Sequence, residues 1–118
     1  MEELFNNTKI VSKPWGFELI WAHTDKYVGK LLHIMAGKKL SRQYHEMKEE
    51  TLHLLSGSLK LELGPADSLL TKDLSPGETF HLPPKTIHRM LATTDCVLLE
   101  VSTPELDDVV RLQDDYGR

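Results

Sequence analysis

The sequence predicts an all-β fold, a small antiparallel barrel or jelly roll with short terminal extensions. Turn residues recur along the chain, the segments between them alternate apolar with polar side chains, and helical periodicity is weak. The clearest alternation is in residues 58–63, where the leucines share one face and Lys60 and Glu62 share the other. Many short strands at this spacing are typical of a barrel or jelly roll.

The expected strands follow one another along most of the chain and are separated by glycine, proline or polar turns. They cover residues 17–21, 28–35, 40–45, 51–55, 58–63, 69–74, 79–82, 87–92 and 96–102. Gly57 is expected to form the hairpin between the fourth and fifth of these strands. Alternation places Glu50 on the same face as the two leucines that follow it and His53 on the opposite face. Helix is expected, if anywhere, at the ends, in residues 1–10 or 104–116.

Length and composition indicate one globular domain, residues 1–118. Hydrophobic residues make up 40% of the chain and charged residues 27%, a balance that supports a packed core under a hydrated surface. The net charge of −4 argues against nucleic acid as a partner, because phosphate recognition needs clustered lysine and arginine. No apolar segment has the length of a membrane span and no signal peptide is evident, so we expect a cytoplasmic protein with no membrane partner. The lone Cys96 lies in an apolar segment, which predicts a buried, unreactive thiol.

Four side chains have the chemistry of a metal site. Gln43 and His45 are two residues apart, so on a strand they leave the same face. Glu50 follows after a short polar stretch that leaves room for a bend, and His88 comes after a proline farther along the chain. Burying these groups without partners would cost on the order of several kcal/mol, whereas one shared cation satisfies all of them. The sequence therefore predicts one divalent transition metal, with zinc, iron, manganese, nickel and cobalt all open.

The glycines and prolines around these residues resemble the two motifs of the cupin superfamily. The first motif matches Gly37, Gln43, His45, Glu50 and Gly57, and the second matches Gly77, Pro83 and His88. Cupins are small antiparallel β-barrels that usually hold one metal, which agrees with the expected strands. Position 43 holds glutamine where cupins usually have the first histidine of the motif, so the resemblance points to a narrower group within the superfamily.

Longer segments look like the C-terminal cupin domain of type II mannose-6-phosphate isomerases, the mannose-1-phosphate guanylyltransferase/isomerases. The segments are Lys13-Pro14-Trp15-Gly16, residues 40–45, His88-Arg89-Met90, residues 108–112 and residues 115–118. The resemblance implies Gln43, His45, Glu50 and His88 as metal ligands. We expect a free-standing domain, because 118 residues leave no room for the nucleotidyltransferase domain that precedes it in the full-length enzymes. Lys85 in place of a turn glycine and Ala92 in place of an asparagine are departures from the pattern.

The resemblance implies a metal-dependent aldose–ketose isomerase that acts on a sugar or sugar phosphate. The metal would stabilise charge on the substrate oxygens. Lys30 or Arg89 would meet a phosphate or hydroxyl, and Glu49 and Lys30 are the candidates for the base. Strict alternation turns Arg89 away from the face that His88 uses, so an outward or interstrand charge is the competing interpretation of Arg89.

The same residues suit two other functions. If the metal is ferrous iron, its open coordination positions can bind substrate and dioxygen. The protein would then be an iron-dependent dioxygenase. If the protein binds a carbohydrate without converting it, it is a non-catalytic carbohydrate-binding or sensor module. We also expect a homodimer, because cupins often pair through exposed strands and small folds gain stability by dimerising. Trp15 and Trp21 are candidates for the dimer interface, although the core is the commoner place for tryptophan.

Overall fold

A computed structural model describes residues 4–5 and 8–118 of the chain. The strands are β1 (Lys9–Lys13), β2 (Gly16–His23), β3 (Val28–Ile34), β4 (Arg42–Tyr44), β5 (Glu50–Ser56), β6 (Leu59–Leu63), β7 (Leu70–Leu74), β8 (Thr79–Leu82), β9 (His88–Ala92), β10 (Cys96–Ser102) and β11 (Val110–Gln113). Over these residues the chain forms no α-helix. None of the described segments is therefore a helix that could cross a membrane.

The strands form two antiparallel sheets that pack face to face. The order in the larger sheet is β1-β2-β3-β10-β5-β8, and in the smaller sheet it is β11-β4-β9-β6-β7. Leucines from both sheets fill the space between them, together with Trp15, Ile34, Met90 and Cys96. The expectation of an all-β jelly roll is confirmed, and two open sheets take the place of a closed barrel, since no ladder joins the sheets within the described residues. The buried Cys96 has no disulfide partner.

All nine expected strands are present, with ends within two residues of the predicted ones. Two edge strands, β1 and β11, were not predicted. The expectation of helix in residues 104–116 was wrong, because β11 pairs with β4 and takes an extended conformation from that neighbour. Residues 9 and 10 lie in β1, while residues 1–3 and 6–7 of the other expected helix lie outside the described part of the chain.

Several turns have a left-handed backbone, among them the turns at Gly57 and Lys85. Gly57, in the β5–β6 hairpin, has a φ of 92°, and a Cβ there would lie 2.1 Å from the carbonyl oxygen of Asp95. Lys85 adopts a φ of 67° just before β9, at the position where the resembling family has glycine. Its N–H donates a hydrogen bond of 2.6 Å to the carbonyl of His45, which ties this turn to the end of β4.

Candidate metal centre

Three potential metal ligands, His45, Glu50 and His88, meet between the two sheets. Glu50 begins β5, His88 begins β9, and His45 directly follows β4. Oε1 of Glu50 lies 3.4 Å from Nε2 of His45 and 3.6 Å from Nε2 of His88. The candidate ligand atoms lie within 4.8 Å of one another, and none of the three residues is more than 5% exposed. Atoms about 2.1 Å from one ion lie about 3 to 4 Å apart, so the cluster has the size of a coordination shell.

The hydrogen bonds of the two imidazoles define their tautomers. Nδ1 of His45 contacts the carbonyl of Asp108, and Nδ1 of His88 contacts the carbonyl of Thr86 at 2.9 Å. Because a carbonyl oxygen only accepts, each Nδ1 carries the proton and each Nε2 keeps a free lone pair. Burial lowers the pKa of His88 and keeps its ring neutral.

The two Nε2 atoms are buried and have no hydrogen-bond partner among the described residues. Their lone pairs face Oε1 of Glu50, which also has only lone pairs to offer once its carboxyl is ionised. Burial opposes that ionisation, but the ammonium of Lys48, 3.0 Å from Oε2, favours it, and the pKa of Glu50 lies well below its ordinary value. Three lone pairs converging on one point are favourable only around a cation. The residues therefore fit a bound divalent metal.

Gln43 lies beside this cluster. It is the cross-strand partner of His88 in the β4–β9 pair, and it borders the same cavity as His45. Its Oε1 accepts a hydrogen bond of 2.7 Å from Oγ of Ser41, which is 1% exposed. An amide oxygen has two lone pairs, so one remains for a cation. The arrangement leaves Gln43 available as a fourth ligand.

Sequence reasoning missed Lys48, which is buried next to Glu50. Its Nζ lies 3.0 Å from Oε2 of Glu50 and 3.3 Å from Oε2 of Glu100. Burial alone would lower the pKa of Lys48, but the two carboxylates outweigh it and raise that pKa. Burial and the charge of Glu50 raise the pKa of Glu100. Alternation in residues 96–102 puts Glu100 on the face of Leu98, a signal that could have identified it, whereas nothing in the polar stretch 46–49 marks Lys48 as buried.

A carboxylate clamp holds the loop between His45 and Glu50. Asp108 accepts hydrogen bonds from the backbone N–H groups of Glu46, Met47 and Lys48 at 3.0, 2.7 and 2.9 Å. These donors lower the pKa of Asp108. Because the Asp108 carbonyl also accepts from Nδ1 of His45, one residue positions both the loop and the imidazole.

A cavity of about 270 Å³ lies beside the cluster and reaches both sheets. Gln43 and His45 contribute to its wall, and much of the remaining lining comes from β1, β2, β3 and β11. Its volume is near the lower end of small-molecule sites, which begin at roughly 300 Å³. The cluster therefore adjoins a space that can admit a small ligand.

Of the three residues expected to act in catalysis, the structure places only Lys30 in this cavity. Nζ of Lys30 lies 3.1 Å from Oε2 of Glu18, a second cavity residue. Arg89 is buried on the opposite face of β9 from His88, as alternation requires, where it donates to the carbonyl of Leu40 at 2.8 Å. Its guanidinium also pairs with Asp115 at 3.1 Å.

Glu49 is also directed away from the cavity. Its carboxylate is half exposed, and its Oε2 lies 2.6 Å from Nε2 of His81. The side chains of Glu49 and Glu50 leave opposite sides of the chain where β5 begins, so only Glu50 reaches the interior.

Residues 30–102 match the family described as the cupin domain. The match runs from β3 to the last residue of β10 and includes all four candidate ligands. Among curated proteins, the chain is 27% identical over 112 residues to the mannose-1-phosphate guanylyltransferase RfbM of Salmonella typhimurium. That alignment covers 91% of this chain and 22% of RfbM, so the chain spans about a fifth of that relative's length.

Solved structures share the fold. KdgF from Halomonas sp. superposes with a TM-score of 0.73 at 22% identity, over 86% of this chain and 89% of KdgF. An oxalate decarboxylase from Bacillus subtilis, studied for its Mn(II) centers, superposes with a TM-score of 0.74 at 13% identity, over 90% of this chain and 30% of the decarboxylase. At such identities the likeness concerns the fold alone.

Proposed function

This chain belongs to the cupin family, and from that premise we propose that it is a metal-dependent isomerase of a sugar or sugar phosphate. One observation carries the proposal: two bare imidazole nitrogens and one carboxylate oxygen converge beside a cavity of ligand size. The likeness to a mannose-1-phosphate guanylyltransferase, a protein named for a phosphorylated sugar, supports the substrate class.

In this proposal Gln43, His45, Glu50 and His88 hold one divalent transition metal, with zinc, iron, manganese, nickel and cobalt as the candidates. When bound, such an ion polarises the carbonyl of an aldose or ketose and stabilises the negative charge that develops as a proton moves between neighbouring carbons. Four protein ligands would leave open positions on such an ion for the substrate.

Lys30 is the residue of this chain that we assign to proton transfer. It lines the cavity, is 5% exposed, and has its ammonium held by Glu18 at 3.1 Å. The pair places a proton donor and an acceptor together in a sheltered space, which is what general acid–base catalysis requires. Glu49 and Arg89 contact other residues outside the cavity, so we assign them no part in this step.

A second candidate function rests on the donor set itself. Two histidines and one carboxylate form the ligand set typical of non-haem iron oxygenases, so an iron-dependent dioxygenase is the main alternative. The third candidate, a carbohydrate-binding or sensor module, uses the same cavity without turnover.

The test uses purified protein stripped of metal with a chelator and reloaded with each candidate ion. Each form is incubated with mannose 6-phosphate or fructose 6-phosphate, and their interconversion is followed by NMR. We expect interconversion that requires metal, disappears in His88→Ala and persists in His53→Ala, whose side chain contacts Thr79 on the outer face of the sheet. Absence of interconversion with every ion overturns the sugar-phosphate isomerase. Oxygen uptake only by the iron(II) form would select the dioxygenase, and tight sugar binding without turnover would select the sensor.

The homodimer remains a proposal, and the outer face of the larger sheet supports it. The outward positions of its six strands carry no lysine, arginine, aspartate or glutamate. A row of cross-strand neighbours crosses four of the strands: Ile10, Leu19, Leu31 and Leu99. Trp21 packs over Gly29 on this face and is 48% exposed, while Trp15 lies in the core.

The occupant we assign to this face is a second copy of the chain. The larger sheet has six strands about 4.8 Å apart and about 23 Å long, so the flat area of its outer face is about 550 Å². The accessible surface of that face is larger than its flat area because side chains project from it. A stable dimer buries about 800 Å² of accessible surface on each partner, which a face of this size can supply. An uncharged face can meet itself across a two-fold axis without placing like charges together.

A further inference from the structure

Three cationic side chains line the cavity without a carboxylate partner among the described residues. They are Lys9 and Lys13 on β1 and Arg111 on β11. Within residues 8–118, no carboxylate oxygen lies within 4.0 Å of their charged nitrogens. An unpaired concentration of positive charge is unexpected in a protein whose net charge is −4.

The other cations of the cavity are already neutralised. Lys30 pairs with Glu18, Lys48 with two carboxylates, and Arg118 with Asp114. Asp107 also lines the cavity, and it is the one acidic lining residue besides Glu18 in the described part of the chain. The charge left over in the cavity is therefore positive.

Arg111 stands in line with the candidate ligands. It is the cross-strand partner of Gln43, and Gln43 is the cross-strand partner of His88, so the three form one row across β11, β4 and β9. Cross-strand partners share a face of the sheet, and neighbouring strands lie about 4.8 Å apart. The backbone of Arg111 is thus about 10 Å from that of His88, across the smaller sheet.

The two lysines approach from the larger sheet. Lys9, Val11 and Lys13 alternate along β1, and all three line the cavity, so this strand presents two ammonium groups on its inner face. Their cross-strand partners on β2, Ile20 and Gly16, carry no charge that could pair with them. Basic groups from both sheets therefore line the same cavity.

We propose that Arg111, Lys13 and Lys9 form an anion subsite that holds a phosphate or carboxylate of the ligand, at the end of the ligand away from the metal centre. The inference deepens the proposed function, because it concerns the orientation of the ligand in the same cavity. Arginine binds such groups through paired N–H donors and lysine as a mobile point charge. The backbones of Arg111 and His88 are about 10 Å apart, a separation that suits a six-carbon chain with its charged group at the far end.

Calorimetry with three hexoses of the same stereochemistry tests the subsite: mannose, mannose 6-phosphate and mannuronate. Titrations use the zinc-loaded and the metal-stripped protein at low and high ionic strength. We expect at least one of the two anions to bind roughly tenfold or more tightly than mannose, and this preference to weaken with added salt. Preference for mannose 6-phosphate identifies a phosphate subsite, and preference for mannuronate a carboxylate subsite.

Two variants and a matched control locate the effect. Arg111→Gln and Lys13→Gln should each lower the affinity for the preferred anion roughly tenfold and leave mannose binding unchanged. Lys60, an exposed lysine on β6, lines a separate cavity. Lys60→Gln should therefore change neither the affinity for the preferred anion nor the affinity for mannose. Equal binding of all three hexoses, or an equal effect of Lys60→Gln, would overturn the subsite.

The isomerase proposal and the anion-subsite proposal can be overturned independently. Anion-selective binding with no interconversion would remove the isomerase and leave the subsite in place. Interconversion with no preference for either anion would remove the subsite and leave the isomerase.

Discussion

Lys48 and Glu50 form a buried ion pair in which Nζ lies 3.0 Å from Oε2, while the other carboxylate oxygen faces the two imidazoles. The lysine thus binds one carboxylate oxygen and leaves the other, Oε1, facing the two imidazoles. Oε1 is therefore the atom through which Glu50 would hold a metal.

Lys48→Met should destabilise the fold strongly at pH 7. The change leaves Glu50 and Glu100 buried without their shared counter-charge, and breaking such a pair costs about 3 kcal/mol or more. Urea denaturation of the metal-free protein measures the loss. Lys72→Met, which breaks the exposed pair with Glu78, should leave the urea midpoint almost unchanged. Similar losses in the two variants would contradict the buried pair.

Removing either imidazole should abolish tight metal binding. Each histidine supplies one of the converging lone pairs, so His45→Ala or His88→Ala should weaken affinity by about 100-fold or more, and Gln43→Ala by less. Competition against a chromogenic chelator gives the affinities. His81→Ala, beside the exposed Glu49, serves as the control and should bind like the parent protein. Unchanged affinity in His88→Ala would contradict the site.

Asp108→Asn should destabilise the protein in a pH-dependent way. Backbone donors hold the pKa of Asp108 below its ordinary value of 3.8, so its stabilisation is present above that value and is lost as the pH falls through the folded-state pKa. The difference in urea midpoint between the parent and Asp108→Asn should be constant from pH 7 to about 5 and shrink in stronger acid. A difference that does not change with pH would show that the carboxylate charge is not involved.

Lys85→Gly should stabilise the protein. Lys85 adopts a φ of 67°, which costs a residue with a side chain about 1 to 2 kcal/mol and glycine almost nothing. Part of that gain is lost to the greater freedom of glycine in the unfolded chain, so we expect a net increase of about 0.5 to 1 kcal/mol in the free energy of unfolding. Lys38→Gly, at a turn with ordinary φ, should be destabilising. Loss of stability in Lys85→Gly would contradict the assigned strain.

Val101→Lys should convert the proposed dimer to a monomer. Val101 is 54% exposed on the outer face of β10, so a lysine there is tolerated by the isolated fold but places like charges together across a two-fold axis. Light scattering coupled to gel filtration reports the mass. Leu70→Lys, on the edge of the other sheet and 73% exposed, should leave the mass unchanged. A monomeric parent protein would end the proposal.

Period-two alternation, together with the turn residues, was sufficient to predict the nine strands from β2 to β10 and the inward direction of Glu50, because side chains leave a strand on alternate sides. It also favoured an outward or interstrand charge for Arg89 once His88 was placed inside, and the structure buries Arg89 on the face of β9 opposite His88. It could not reveal β1 or β11, whose extended conformation depends on pairing with β2 and β4. Lys48 was missed for a similar reason, since its burial depends on the partner Glu100, which is distant in sequence.

The first and last strands, β1 and β11, border the cavity yet contribute no side chain to the apolar core. The candidate metal ligands lie on or beside β4, β5 and β9 instead. Ligand preference and metal affinity can therefore evolve independently: substitutions on β1 and β11 can change ligand binding while the apolar core and the candidate metal ligands stay intact. Libraries randomised at β1 and β11 alone are the natural starting point for redirecting this scaffold to new ligands.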